Sequence, residues 1–371
     1  MPAARNDGVD GPLTASMCQS WVFDNANGRE PAMKEVTTIG LDLAKKVFQV
    51  HAVDRAGAVV VRRALRRSQV LAWFAKLPPC LVGMEACATA HYWGRELRKL
   101  GHEVRLIPPA YVKAYVRRNK NDAVDAAAIC EAVGRPAMRF VTIKTEPQQA
   151  MAGIHRVRDL LIKQRTMLRN QLRGMMAEFG VVAAQGRRGL NELLAILSDP
   201  EDRCIPSPLH EGLMMIMETW RGIERKLEEI DRQMVAAGRA DATCRHLVTA
   251  PGYGPILSSA MAALVIDPGA FKRGCDFAAS LGLVPRQDGT GGKVRLGPIS
   301  KRGNGYLRRL LVNGATSLIK CQHIRQDPWV AKLLASKPRK VVAVALANKL
   351  ARIGWALMTR QEDFRCRLAA A

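Results

Sequence analysis

From Val36 onward the chain first alternates β-branched and apolar residues at period two, then takes strand-like and helix-like stretches in turn; from about Gln148 the strand signals vanish. That order admits few folds: an α/β domain comes first, and helices follow it. The stretch VTTIGLDLAKKVFQVHAVD predicts a strand ending at Asp42, a turn, and a second strand with Val47, Gln49 and His51 on one face. AVVVRRAL reads as a third strand, SQVLAWFAKL as a helix, CLVGMEA as a short buried strand, and AHYWGRELRKLGH as an amphipathic helix stopped by Gly101. EVRLIPP is a further strand closed by Pro108 and Pro109, and a helix is expected from Asn121 to about Val133. These elements define a domain over residues 35–145.

Downstream, Ile154, Val157, Leu161, Leu168, Leu172, Met175 and Phe179 recur at helical spacing, as do Leu213, Ile216, Trp220, Ile223, Leu227, Ile230 and Met234. Two long helices over residues 146–240 are expected, as a hairpin or coiled-coil arm, and an ordinary bundle core fits the pattern equally. Residues 241–371 read as a third, mainly helical domain interrupted by a glycine-rich segment. Residues 1–34, without periodicity, are expected to form a disordered leader, and Met33 is an alternative start. A length of 371 residues suits about two to three domains.

Lys and Arg number 57 against 33 Asp and Glu, a net charge of +24 spread over sequence that looks folded, which favours a polyanionic partner. Aromatics at 5% argue against reading single strands mainly by stacking, leaving backbone phosphate contact as the expected mode. No long apolar run or signal-peptide order is present, so a soluble, cytosolic protein with no membrane partner is expected. The nine cysteines lack zinc-ligand spacing and read as reduced thiols, mostly filling the core.

Against that positive background four acids stand out: Asp42 at the end of the first strand, Glu85 at the end of a central strand, and Asp122 and Asp125 at a helix start. Positions three apart on a helix share a face, and strand ends meeting a helix start are where α/β sites form. Four carboxylates drawn together repel unless cations compensate them, and hard oxygen ligands suit magnesium or manganese. Arg117, Arg118 and Lys120 would then hold nucleic acid. A single aspartate at a strand end is commonly a turn residue, and Asp122 beside Asn121 also fits an N-cap.

The segments IGLDLAK, GMEA and KNDAVDA resemble the RuvC-like DEDD domain of the insertion-sequence 110 family transposases. APGYGPILSSAMAAL and LGLVPRQDGTGGKVRLGPISKRGNGYLRRLLV are similar to that family's C-terminal domain, closest to its 1111 branch. The resemblance implies an RNase H/RuvC-like α/β domain, a helical coiled-coil middle and a mainly α C-terminal transposase domain. It implies that Asp42, Glu85, Asp122 and Asp125 form a tetrad binding Mg2+ or Mn2+. It also implies donor and target DNA as substrates, a structured guide RNA encoded by the element, a homo-oligomer (dimer or tetramer), and a bacterial, nucleoid-associated setting. Delegating sequence to base pairing accords with the lack of any zinc finger, homeodomain or clear helix-turn-helix pattern.

Read without the family, DGTGGKVRLGPISKRGNGYLRR is a glycine-rich cationic loop before a helix carrying Arg308 and Arg309, with Lys293, Lys301 and Arg302 as further phosphate contacts. A plain surface loop is the alternative. PGYGP before ILSSAMAAL suits either a backbone-binding glycine turn or a structural one. Family members carry a nucleophilic serine here, usually within Ser-Ser-Gly-Gly-Lys, thought to act in a composite site with the tetrad of another protomer. This chain has Gly289, Thr290, Gly291, Gly292 and Lys293. Thr290 keeps a hydroxyl with an added methyl; Ser300 is the alternative nucleophile, and an impaired copy is the third reading. The leading expectation is a DNA transposase; a junction-resolving metal nuclease and a non-catalytic basic nucleic-acid-binding protein are the alternatives.

Overall fold

A computed structural model of the chain describes residues 35–115, 122–199, 204–290 and 293–365. The expected leader and Arg117, Arg118 and Lys120 therefore lie outside the described residues. The chain divides into two compact units, the first ending at Ile143 and the second beginning at Lys144. Residues 146–240 and 241–371, read above as separate domains, lie within the same second unit.

In the first unit, strands β1 (Thr38–Asp42), β2 (Val47–Val53) and β3 (Val59–Arg66) form an antiparallel meander. Helix α1 (Val70–Phe74) leads to β4 (Leu81–Glu85), which pairs in parallel with β1; α2 (Ala90–Lys99) then leads to β5 (Glu103–Ile107), parallel to β4. The short α3 (Pro109–Val112) and α4 (Asp122–Val133) complete the unit. The sheet order is β3-β2-β1-β4-β5, with helices on both faces. On one face Ile39, Leu41, Phe48, Val50 and Met84 close a core with Trp73, Phe74, Trp93 and Leu97 of α1 and α2. On the other, α4 packs on β1, β2 and β4. The sequence reading of these strands and helices agrees with this N-terminal α/β arrangement, because each strand carries an apolar face that the chain must bury.

The second unit is almost wholly helical. Helices α5 (Glu146–Ala177) and α7 (Ser207–Ala240) pack side by side, tied by ion pairs Arg158–Asp231 and Arg165–Glu224. Between them α6 (Arg187–Ser198), which the sequence reading left inside a connection, caps the far end through Leu172, Met176, Leu193, Leu197, Leu213 and Met217. Leu190, Leu193, Leu194 and Leu197 recur at helical spacing there, and the Arg188–Glu192 ion pair lies on the exposed side, so the signal for a short helix was present in the sequence. After α8 (Ala242–Val248), α9 (Pro255–Leu264) and α10 (Gly274–Ser280) comes a hairpin of β6 (Pro285–Thr290) and β7 (Lys293–Ile299). Then follow α11 (Gly305–Leu318), α12 (Gln322–Arg325), α13 (Pro328–Ser336) and α14 (Arg339–Arg360).

By length and composition α14 could cross a membrane. Here it is a core helix: Val342, Leu346, Ala347, Leu350, Ala351 and Leu357 are buried against α8, α10 and α11. Buried His155 of α5 joins this core, with Nδ1 3.0 Å from the Tyr306 hydroxyl on α11 and Nε2 3.1 Å from Ser259 Oγ on α9. The cysteines divide more evenly than expected: Cys80, Cys130 and Cys244 are buried, whereas Cys204, Cys275 and Cys321 are exposed.

Candidate active site

Strand parity decides which side chains face α4. Gly40 and Asp42 lie two residues apart on β1, and Gly83 and Glu85 do so on β4, so each pair shares a face. A Cβ at Gly40 would meet Ala126 O at 2.0 Å and Cys130 N at 2.5 Å; one at Gly83 would meet Val133 Cβ at 2.7 Å. Both glycines therefore admit the backbone of α4 to a distance no side chain would allow. The helix turns Ala126, Ile129, Cys130 and Val133 toward the sheet, and one turn earlier that stripe begins with Asp122 and Asp125. The close approach of α4 thus brings its first-turn acids down to the end of β1.

One carboxylate oxygen from each of Asp42, Asp122 and Asp125 lies within 4.8 Å of the others. Glu85 stands outside that group but adjoins it, since β1 and β4 pair in parallel with Leu41 opposite Met84. Burial pushes the Asp42 carboxyl up to about 6 from 3.8, and the charges of Asp125, Asp122 and Glu85 add to the rise, against a backbone hydrogen bond from Leu43. This is an excess of negative charge at the end of a sheet, half-exposed and built from oxygen donors. A divalent cation fits it: the donors are hard, close together and mutually repelling in its absence. The N-terminal end of α4 supplies only a partial positive charge, too little to balance three carboxylates.

In the second unit the glycine-rich stretch is not the open loop its composition suggested. It is an antiparallel hairpin that pairs Asp288 with Arg295, Gly289 with Val294, and Thr290 with Lys293. The side chains of Thr290 and Lys293, and Gly291 and Gly292 whole, lie outside the described residues. Ser300 follows β7 directly, its backbone N–H donating to Val284 O and its hydroxyl accepting from Arg302 N. Lys301, exposed, has a left-handed backbone (φ 53°), a costly conformation for a residue with a Cβ. Asn304 caps α11 by accepting from the Tyr306 and Leu307 N–H groups.

The two arginines expected to grip phosphate are partly engaged with the protein. Arg308 Nη1 donates to Leu281 O and Arg302 O, both at 2.9 Å, which ties the chain leaving α10 to the segment entering α11. Arg309 pairs with Asp159 and lies over the Tyr306 ring. Arg302 and Lys301 remain exposed on this segment. Sequence reasoning missed Gly40, Gly83 and Asn304; the signal was present in IGLD, GMEA and KRGNGY, where a glycine two residues before an acid and an asparagine before a helix mark close packing and a cap.

Comparison with known proteins covers both units. Residues 244–330 match the family described as "Transposase IS116/IS110/IS902 family", and residues 39–180 match a DEDD-type family described as "Transposase". The chain is 50% identical over 334 residues to a probable family 20 transposase from Pseudomonas aeruginosa, covering 89% of this chain and 99% of the relative. It is 42% identical over 335 residues to the transposase for insertion sequence element IS1328 from Yersinia enterocolitica, covering 90% and 99%. It is 37% identical over 341 residues to the transposase for IS1111A from Coxiella burnetii, covering 91% and 94%.

Proposed function

Because this chain belongs to the IS110 family of transposases, it cuts and rejoins DNA, and we propose that Asp42, Glu85, Asp122 and Asp125 form the metal-binding centre of that reaction. The observation that carries this reading is the gathering of Asp42, Asp122 and Asp125 within 4.8 Å of one another at the end of β1. Strands in a meander followed by parallel strands, with acids at the strand ends, support an RNase H/RuvC-like assignment for the first unit. Magnesium or manganese held by these carboxylates would stabilise the attacking and leaving oxygens of a phosphodiester displacement. The carboxylates themselves orient and hold; Glu85 adds charge beside Asp42.

The attacking group is assigned to the Thr290 hydroxyl at the tip of the β6–β7 hairpin, with Ser300 at the hairpin base as the alternative. Its oxygen forms a bond to phosphorus as the bridging P–O bond breaks, leaving one strand end as a free hydroxyl; attack by another strand's hydroxyl reverses the exchange without consuming water. In a recombination assay, Thr290→Ala is expected to lower product by about a thousandfold or more, Thr290→Ser to retain or raise it, and Ser300→Ala to leave most of it. Denaturing gels should trap a protein–DNA adduct with wild type and none with Thr290→Ala. Full activity of Thr290→Ala would move the assignment to Ser300, and cleavage without any adduct would favour the junction-resolving nuclease.

The same reading includes a structured RNA from the element as guide, donor and target DNA as substrates, and a homo-oligomer as the working form. A net charge of +24 supports a nucleic-acid partner. Expressed with its native flanking DNA and washed in high salt, the protein should retain one discrete RNA encoded beside the gene. Recovery of mixed cellular RNA alone would sink guidance while leaving the metal centre standing.

A further inference from the structure

Among the described residues, the sheet of the first unit is only partly covered on the face that carries the acids. Helix α4 packs on β1, β2 and β4, whereas Ala64 and its neighbours on edge strand β3 are exposed on that face. Register fixes which β3 residues these are. Asp42 pairs with Gln49, and Gln49 pairs with Ala64; two residues to either side of Ala64 are Arg62, opposite His51, and Arg66, opposite Val47. Directly paired residues share a face, so Asp42, Gln49, Ala64, Arg62 and Arg66 all project from the side on which α4 lies. With strands ~4.8 Å apart and a rise of ~3.3 Å per residue, the Cα atoms of Arg62 and Arg66 stand about 12 Å from that of Asp42 and about 13 Å from each other.

Both arginines are exposed and have no carboxylate partner among the described residues. A cleft of about 930 Å³ runs beside Arg62, lined by Thr38, His51, Arg55 and Arg62 on one side and by Ala127 and Glu131 of α4 on the other; Arg66 lies outside it, toward the Asp42 end of the sheet. The cleft's two acids are already committed: Glu131 pairs with Arg135, and Asp54 accepts from the backbone N–H groups of Ala56 and Ala58. Arg63 and Arg67 belong to the opposite face, where Val50 and Leu65 are buried and the Arg67 guanidinium lies over Phe48 and Trp93. Arginines guarding a sheet edge against pairing need no particular face. Here one pair flanks the row that ends in Asp42.

We propose that the open β2–β3 flank is a DNA track, on which Arg62 and Arg66 hold backbone phosphates on either side of the phosphodiester presented to the acidic cluster. This rests on the reading of that cluster as the cleavage centre. A duplex running across the flank meets guanidiniums within side-chain reach of its backbone, and bidentate Arg–phosphate contact holds register without reading bases. The acids repel the same backbone, so the arginines also decide that DNA stays while the cluster faces it.

The test is the salt dependence of binding by the intact protein, measured by anisotropy on a labelled duplex in EDTA so that no cleavage contributes. Arg62→Gln and Arg66→Gln should each flatten the slope of log K against log salt by about 0.9, with Arg63→Gln unchanged, and with melting temperatures close to wild type because all three sites are exposed. Equal slopes for wild type, Arg62→Gln and Arg66→Gln would overturn the track, as would equal losses in all three variants or a loss confined to duplex RNA. Asp42→Asn in the same assay separates the two readings. If it binds DNA with the same arginine dependence yet still cleaves when magnesium is restored, the metal-centre reading fails and the track survives as a binding surface. If it binds and does not cleave, but the arginines leave the slope untouched, only the track fails.

Discussion

Asp42→Asn is expected to reduce DNA cutting and rejoining by a factor of about a thousand or more, and at the same time to raise the melting temperature of the metal-free protein at neutral pH. The first effect follows from removing one charge from the proposed metal-binding cluster, whose Asp42, Asp122 and Asp125 oxygens lie within 4.8 Å of one another. The second follows from its titration. Burial first, and then Asp125, Asp122 and Glu85, lift the Asp42 carboxyl to about 6 in the fold from 3.8. The folded state therefore binds this proton more tightly than the unfolded chain does, and stability falls as pH rises from about 4 through about 6. Above 6 the whole cost is carried, about 1–2 kcal/mol once solvent screening of a half-exposed group is allowed for. Asparagine removes the charge and the cost. In EDTA at pH 7.5 the variant should melt a few degrees higher than wild type, and at pH 4 the two should coincide. Adding magnesium should raise the wild-type melting temperature and leave the variant's nearly unchanged. A variant that still recombines DNA, or a wild type whose melting ignores magnesium at pH 7.5, would dismiss the metal centre.

Gly40→Ala is expected to be the most damaging single-methyl change in the first unit. Its Cβ would sit 2.0 Å from Ala126 O and 2.5 Å from Cys130 N, both backbone atoms of α4, so a side-chain rotation cannot relieve it. The helix must lift by an ångström or more, and Asp122 and Asp125 lift with it. A displacement of ~1 Å at a catalytic group costs on the order of a hundredfold in rate, and overpacking of this kind costs about 1–3 kcal/mol in stability. Gly83→Ala makes the useful contrast. Its Cβ meets Val133 Cβ at 2.7 Å, an atom fixed to the helix backbone, so α4 must also give way there, but at its last turn, far from the acids. Comparable instability with a much smaller loss of activity is the expected outcome for Gly83→Ala. Measuring recombination at a temperature where both variants remain folded separates the effects, and equal activity losses would show that α4 does not position the acids in the way its packing implies.

How much of this was readable in advance differs between the two units. Strand ends at Asp42 and Glu85 were legible because buried strands carry period two, and the helix at Asp122 was legible because an alanine-rich run follows two acids three apart. The β6–β7 hairpin was not, because Gly289, Gly291, Gly292 and Gly297 read as a loop and the short alternation of Val294 and Leu296 with Lys293 and Arg295 buries no core, Leu296 being exposed. Helix α6 was legible but passed over, a 12-residue stripe of Leu190, Leu193, Leu194 and Leu197 lying between two much longer helices that drew the reading. That Cys204, Cys275 and Cys321 stand among the exposed thiols was not legible, because composition says nothing of which side of a helix or turn a thiol occupies. Arg308 looked like a free cation in the sequence, but its Nη1 donates to two carbonyls, Leu281 O just after α10 and Arg302 O just before α11, which only the fold brings together.

The sequence by itself determined an α/β unit followed by helices, an excess of positive charge, four acids at element ends, and membership in a transposase family. Those properties are carried by neighbours in the chain, through periods of 2 and 3.6 and through motif order. Only the tertiary structure decided that Asp42, Asp122 and Asp125 meet, that Gly40 makes the meeting possible, and that Arg62 and Arg66 share their face while Arg63 does not. Strand register and helix depth set those relations, and both arise from contacts between residues 7 (Asp42 and Gln49) to 90 (Gly40 and Cys130) positions apart, for which a local period holds no record.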